Sequence, residues 1–291
     1  MTDPHYDAPE FTMDDARWTA LQKTGDHHKY FYGHGVIVSG ATGQGGAARL
    51  AARGALRIGA GLVSVICSTD QVAEHAAQLN AVMIKPYGGE VAFLQRLIKI
   101  KPSAICVGPN LGLGATARTK LLQVLSLKTP LCIDADAITL LSSQGAKMGK
   151  LLNPQTVMPP HEGELRRYIP EAFAKTTNRL ELARFAAQKA GCVVLFKGPE
   201  TIVATPSGRC ATVSSSEFQN AGWLATAGSG DVLAGFITGL LARGFDGFDA
   251  ATIGANLHFQ CAQMFGAGLI AEDIPEMLPK VLSEQGRIDQ T

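Results

Sequence analysis

An aspartate follows a glycine pair in Gly228-Ser229-Gly230-Asp231, and Val232, Leu233, Phe236, Ile237, Leu240 and Leu241 recur behind it at helical spacing. The spacing predicts a helix over 231–243, beginning at or just after Asp231. Gly228 and Gly230 allow successive N–H groups to turn into one concavity, and the helix dipole adds partial positive charge there. Such a cradle suits a phosphate oxygen that gains charge in a transition state. A carboxylate at its edge can take the proton of a hydroxyl approaching phosphorus. By spacing alone a helix cap, a role Asp fills well, is the more ordinary reading, and a cap can also fix the rotamer a base requires.

A second glycine cluster, Gly40-Ala-Thr-Gly43-Gln-Gly45-Gly46-Ala47, lies between a strand pattern and a helix pattern. It has the four-residue spacer of a phosphate-binding P-loop but lacks the lysine and the hydroxyl residue that should follow. The order Gly-x-x-Gly-x-Gly-Gly, with Asp70 as a distant acid, also matches a dinucleotide fingerprint poorly. Tight turning and close helix packing account for it as well as anion binding does. Three further groups stand at predicted strand ends, where open parallel sheets bind ligands. Asp134 and Asp136 follow Leu-Cys-Ile and suit magnesium, a sugar or a helix cap. In Met158-Pro159-Pro160-His161-Glu162-Gly163-Glu164, the acids read as surface carboxylates on a rigid turn, or His161 as a donor to substrate. Lys197, beside Gly198, suits a phosphate; Lys29, among His27 and His28, suits one less well.

These residues need a scaffold, and the apolar runs supply one. Strands are predicted at 36–39, 62–67, 81–84, 104–107, 131–133, 156–158, 193–196, 201–204 and 211–213. The early runs are continuous rather than alternating, as in strands buried on both faces of a parallel sheet. Helices are predicted at 14–23, 46–58, 91–100, 115–127, 138–141, 180–190, 231–243, 249–265 and 274–284. Alternating strand and helix means α/β, and the closely spaced runs after Val193 read as a hairpin. Gly235 and Gly239 mark close packing of their helix against the sheet.

The chain has 291 residues, 26 Lys+Arg, 25 Asp+Glu and 46% hydrophobic residues. Disorder is excluded, and a net charge of +1 gives no reason to expect nucleic acid or an anionic membrane as partner. No apolar run reaches a membrane span, and Met1–Glu10 has no apolar core, so a soluble cytoplasmic protein is expected. The six cysteines sit mostly in apolar runs without any Cys-x-x-Cys pair, as buried free thiols do.

Taken together, His28-Lys29 with Gly33, VSGATGQGGAARLAARGALRIGAGLVSV, VGPNLGLG, IDADAITLL, PPHEGEL, FKGPETIVATPSG and NAGWLATAGSGDVLAGFITGLLARG resemble the ADP-dependent NAD(P)H-hydrate dehydratases. The resemblance runs from about His28 to the last helix. It implies a ribokinase-like α/β fold: a central, mostly parallel sheet, helices on both faces and a small hairpin near the C-terminal third. It also implies a single dehydratase domain over 28–291 behind an N-terminal extension, 1–27, with no epimerase activity. The implied reaction returns (6S)-NADHX or NADPHX to NADH or NADPH at the expense of ADP, giving AMP and phosphate, with Mg2+ and with ATP as the alternative nucleotide. By motif, Asp231 is the base. Ala47, Gly108, Gly112, His161 and Asp231 contact the hydrated dinucleotide. Lys197, Gly198, Pro199, Glu200, Thr201, Gly228, Ser229 and Gly230 contact the adenine nucleotide. A homotetramer is implied as well. Three positions depart from the usual pattern: Pro159 replaces threonine, while Asn110 and Ala227 replace glycine. The other reading of the same features is a ribokinase-fold kinase of the hydroxyethylthiazole or pyridoxal type.

Overall fold

The computed structural model describes residues 8–144, 151–216 and 218–288. Nine strands form one sheet: β1 (His34–Val38), β2 (Leu62–Ser68), β3 (Met83–Tyr87), β4 (Ala104–Val107), β5 (Leu131–Ile133), β6 (Val157–Met158), β7 (Val193–Phe196), β8 (Glu200–Ala204) and β9 (Cys210–Ser214). Their order is β3-β2-β1-β4-β5-β6-β7-β8-β9. Neighbours from β3 across to β7 are parallel, while β7, β8 and β9 are joined antiparallel. The turn Thr205–Gly208 closes the hairpin between β8 and β9, as its Pro-Ser-Gly sequence predicts.

One predicted strand moves. The run at 81–84 is loop up to Val82, and β3 continues through Lys85 and Pro86. Proline cannot donate to a ladder, but β3 is an edge strand, where one side has no partner to lose.

Helices cover both faces. On one lie α1 (Asp15–Leu21), α2 (Gly46–Arg57), α10 (Ser229–Ala242), α11 (Gly247–Phe265) and α12 (Asp273–Ile288); α3 (Val72–Ala76) follows β2. On the other lie α4 (Glu90–Ile100), α5 (Ala115–Ser126), α6 (Asp136–Gln144), α7 (Glu162–Tyr168), α8 (Pro170–Phe173) and α9 (Arg179–Ala190). Every strand from β4 to β7 is fully buried, which is why its sequence does not alternate. The chain ahead of β1 is tied down: Phe11 N–H donates to Thr212 O on β9, and Trp18 and Leu21 are buried in the same core as α2.

The glycines of α10 do not face the sheet as expected. A Cβ at Gly235 would lie 2.2 Å from Ala51 O, and one at Gly239 would lie 2.2 Å from Ile58 Cγ2. Both neighbours belong to α2 or its C-cap, whose buried Ala48, Ala51, Ala52 and Ala55 complete a seam of small residues. This seam fixes where the α10 N-terminus stands. A methyl group inserted there costs about 1–3 kcal/mol in overpacking.

Candidate active site

The predicted site residues collect along the carboxyl ends of the parallel strands and the start of α10. Asp134, just past β5, is buried, and its Oδ1 lies 3.1 Å from Lys197 Nζ, just past β7. Lys197 N–H donates to Pro160 O at 2.9 Å, which brings the 159–161 turn alongside. Burial alone would lower the Lys197 ammonium, but Asp134 and Glu164 outweigh it and the shift is upward. The lysine therefore stays charged, and Asp134 is not a free metal ligand.

Asp231 is not a cap. The helix starts two residues earlier than its apolar spacing predicts, with Gly228 at the N-cap and Asp231 third in the helix. Gly228 sits at φ +88°, a conformation that glycine adopts without penalty. Val232 N–H is the first to bond back, to Gly228 O at 3.1 Å, and Ser229 N–H reaches Thr226 O. The Gly230 and Asp231 N–H groups have no backbone acceptor among the described residues. Two free donors at a helix start make an anion cradle. Burial is the main cause that lifts the Asp231 carboxyl to about 6; the charge of Asp134 adds to it and Lys197 opposes it. A carboxyl at that value is ionised near neutral pH yet basic enough to take a proton.

His258, within α11, supports this loop. Its Nε2 lies 3.0 Å from Ser229 O and 3.3 Å from Ser229 Oγ, so the ring donates from Nε2 to the carbonyl. Burial pushes this imidazole down to about 4, which keeps it neutral under the cradle. A histidine inside an apolar helical run is the signal for it in sequence.

The turn after β7 is closed internally. Thr201 is buried, and its hydroxyl donates to Gly198 O at 2.9 Å, so its side chain is spent within the turn. Pro199 and Glu200 are exposed at the rim. Arg179, the first residue of α9, clamps both ends of this turn. Its guanidinium lies 3.6 Å from the Phe196 ring centroid, and one nitrogen donates to Phe196 O, Lys197 O and Glu200 O. Any Cβ at Gly198 would lie 2.5 Å from that nitrogen. Nothing local to Arg179 in the sequence signals this role, because its partners lie 17 to 21 residues away.

His161 caps α7. Its Nδ1 accepts from Gly163 N at 2.9 Å and Glu164 N at 3.3 Å, while Glu164 accepts from His161 N at 2.8 Å. Glu164 is buried, not the surface carboxylate expected for this turn. With Nδ1 accepting, the ring's proton is on Nε2, which lies 3.5 Å from Glu164 Oε1 on an exposed side chain.

The remaining predicted contacts line the same edge. A Cβ at Gly108 would lie 1.8 Å from Asp134 O, so this turn needs glycine to approach β5. Gly112 N–H donates to Asp136 Oδ2 at 2.8 Å, which spends the second aspartate on the turn. Asn110, where glycine is usual, adopts φ +52° and donates from Nδ2 to Gln44 O. Asn tolerates that left-handed conformation better than other side chains do. Ala47 is buried at the start of α2.

The first glycine loop differs from the second. Its Gly43 and Gly45 N–H groups donate to the Glu74 carboxylate at 3.0 and 2.9 Å, and Arg49 pairs with the same group at 3.0 Å. Asp70 accepts from the Thr42 hydroxyl. The concavity is filled by the protein's own carboxylate. In sequence, Asp70 is the acid placed like that of a dinucleotide fingerprint, while Glu74 carries no such signal.

Among the described residues, no three His, Cys, Asp or Glu side chains converge on a metal site. With Asp134 taken up by Lys197, a magnesium ion here would be held chiefly by nucleotide phosphates rather than by protein carboxylates. All six cysteines are free thiols, five of them buried, and no helix among the described residues is long and apolar enough to cross a membrane.

The profile of the NAD(P)H-hydrate dehydratase family matches residues 35–285. The chain belongs to this family. A bifunctional NAD(P)H-hydrate repair enzyme of Salinibacter ruber is 34% identical over 275 residues, covering 89% of this chain and 50% of that protein. The Escherichia coli repair enzyme is 29% identical over 265 residues, covering 89% and 49%. The chain thus spans about half the length of the curated relatives it matches. An ADP/ATP-dependent NAD(P)H-hydrate dehydratase of Bacillus subtilis, crystallised with ATP and Mg2+, superposes with a TM-score of 0.78 at 25% identity over 95% of this chain and 98% of that one. Arabidopsis ribokinase superposes at 0.58 with 11% identity, covering 86% and 98%, so the dehydratase-family chain shares the ribokinase-like fold.

Proposed function

We propose that this chain dehydrates (6S)-NADHX and NADPHX to NADH and NADPH with ADP as phosphoryl donor. One observation carries the reading: a carboxyl raised to about 6, Asp231, stands third in a helix whose second and third N–H groups have no acceptor among the described residues. Asp231 takes the proton of the C6 hydroxyl as its oxygen attacks the terminal phosphorus, and AMP leaves with the bond electrons. The Gly230 and Asp231 N–H groups and the Lys197 ammonium stabilise charge on the transferred group. The C6–O bond then breaks, phosphate leaves with its electrons, and loss of the C5 proton forms the ring double bond. Mg2+ supplies charge neutralisation on the nucleotide phosphates.

The 197–201 turn, held by Arg179, and the Gly228–Gly230 cradle bind the nucleotide in this reading. Ala47, the Gly108–Gly112 turn and His161, through Nε2–H, bind the dinucleotide. Residues 28–291 form one catalytic domain onto which the preceding segment packs, in a cytoplasmic homotetramer. The test is to incubate the protein with hydrated NADH, Mg2+ and ADP or ATP while following the absorbance of the reduced nicotinamide. Recovery of NADH with one phosphate per turnover supports dehydration. Accumulation of a stable phosphorylated alcohol instead identifies a kinase and overturns the reading.

A further inference from the structure

The amino ends of the strands, opposite the Asp231 mouth, hold a second cavity of about 300 Å³. It lies between the start of β1, the edge strand β3, the last turn of α4 and the loop ahead of β1. Its wall carries four cations, Lys29, Lys85, Arg96 and Lys99, and no carboxylate. Among the described residues none of the four has an ion-pair partner. Arg96 spends only its Nε, on Pro86 O at 3.1 Å, which leaves the rest of its fork available.

Like charges lining one cavity without a counter-charge give it a positive field that solvent and salt screen only in part. His34, in the same wall, feels this field: burial first, then the charge of Lys85, lowers its imidazole. Its Nε2 is held by Ser64 Oγ at 2.8 Å. Tyr30 stands at the rim with an exposed ring, 5.4 Å from the Lys29 ammonium, and offers a flat face to an incoming group. Lys29 belongs to the His28-Lys29 segment, which the catalytic reading leaves without a task.

We propose that this cavity binds a small molecule bearing two or more phosphate groups, apart from the catalytic mouth. Several unpaired donors on separate elements match the several oxygens of a polyphosphate, and a guanidinium fork suits them in geometry as well as charge. A single carboxylate would leave most of the four cations uncompensated. The occupant would tie the loop ahead of β1 to β3 and α4, so binding would also raise thermal stability.

The test titrates inorganic tripolyphosphate into the full chain and into the Lys85→Gln/Lys99→Gln double variant by calorimetry. The wild type is expected to show a binding component whose affinity falls about tenfold or more in the variant and weakens with added salt. NADH-repair turnover should not change, since neither lysine is in the catalytic machinery. Lys99→Gln alone, at an exposed helix end, should weaken the same component by a smaller factor, so the outcome does not depend on the double variant folding. Coincident isotherms for all three proteins would overturn the proposal. So would unchanged phosphate binding with an altered sedimentation coefficient, which would mean that the cations face a second copy of the chain. Loss of repair activity in an Asp231 variant bears on the catalytic reading alone and leaves this component untouched.

Discussion

The loops at 40–46 and 226–230 look alike in sequence, each a glycine-rich turn that starts a helix, yet their N–H groups meet different partners. At the first, Gly43 and Gly45 donate to Glu74, a carboxylate of α3 that Arg49 also holds. At the second, the Gly230 and Asp231 N–H groups have no protein acceptor among the described residues, and the nearby carboxyl carries a raised pKa. A glycine loop is therefore an anion site only where the fold leaves its donors unspent. That depends on a residue elsewhere in the chain, here the presence of Glu74 beside one loop and of Lys197 beside the other.

Removing the base should break the comparison most severely. Asp231→Asn keeps the shape and the free N–H groups, so nucleotide binding should persist while kcat falls about 10³-fold. In the wild type, kcat/KM should rise about tenfold per pH unit up to about 6 and then level, because the base must be ionised. The same raised value makes ionised Asp231 a stability cost. The fold is free of that cost below the unfolded carboxyl's ordinary range and bears it fully once pH has risen through about 6. Asp231→Asn should thus melt higher than wild type at pH 7.5, by about 1–3 kcal/mol in stability, and no higher at pH 3.5. Turnover unchanged in the variant would remove the base role, and equal melting at both pH values would remove the electrostatic cost.

Distorting the open loop should come next. A Cβ at Gly228 would lie 2.6 Å from Leu50 Cδ1 and 2.9 Å from Ala271 Cβ, at a positive φ that alanine adopts at a cost of about 1 kcal/mol. Gly228→Ala should shift the α10 N-terminus, raise the nucleotide KM about 10- to 100-fold and lower Tm by about 2–4 °C. The KM for hydrated NADH should move little. Steady-state kinetics with each substrate varied in turn, together with a melting curve, decide it.

Much of this was legible in sequence. Apolar runs located every strand but the edge strand β3 closely, and those from β4 to β7, buried on both faces, leave no alternation to misread. The edge strand was displaced because Lys85 and Pro86 look like breakers when the free side of β3 is unknown. The short α7 is hidden in sequence because its capping box pairs Glu164 with histidine, which is not among the usual N-cap residues. Asp231 and Lys197 could be found from motif and position. Arg179 could not be placed, because its partners are backbone carbonyls distant in sequence; His258 stands out in its apolar run, but its partner, the Ser229 carbonyl, carries no residue signature. The two glycines of α10 announced close packing, but only topology could say that the neighbour was α2.

The smallest effect should come from the filled loop. Glu74 accepts from two glycine N–H groups and Arg49, and the Gly43 bond is the leading cause that holds its carboxyl below the usual range. Glu74→Gln replaces one accepting oxygen with a donor, which confronts one of those N–H groups and weakens the charge-assisted bonds. The loop should loosen without collapsing, because Gly40 O is also held by Gln71 and Asn110 still reaches Gln44 O. In the proposed reading Ala47, just past this loop, serves the dinucleotide, so its KM should rise about two- to tenfold while the nucleotide KM stays constant. That is the reverse of the pattern expected for Gly228→Ala, and the pair of variants measured side by side separates the two loops. If Glu74→Gln raised the nucleotide KM instead, the first loop would be part of the phosphate cradle and the division between filled and open would fail.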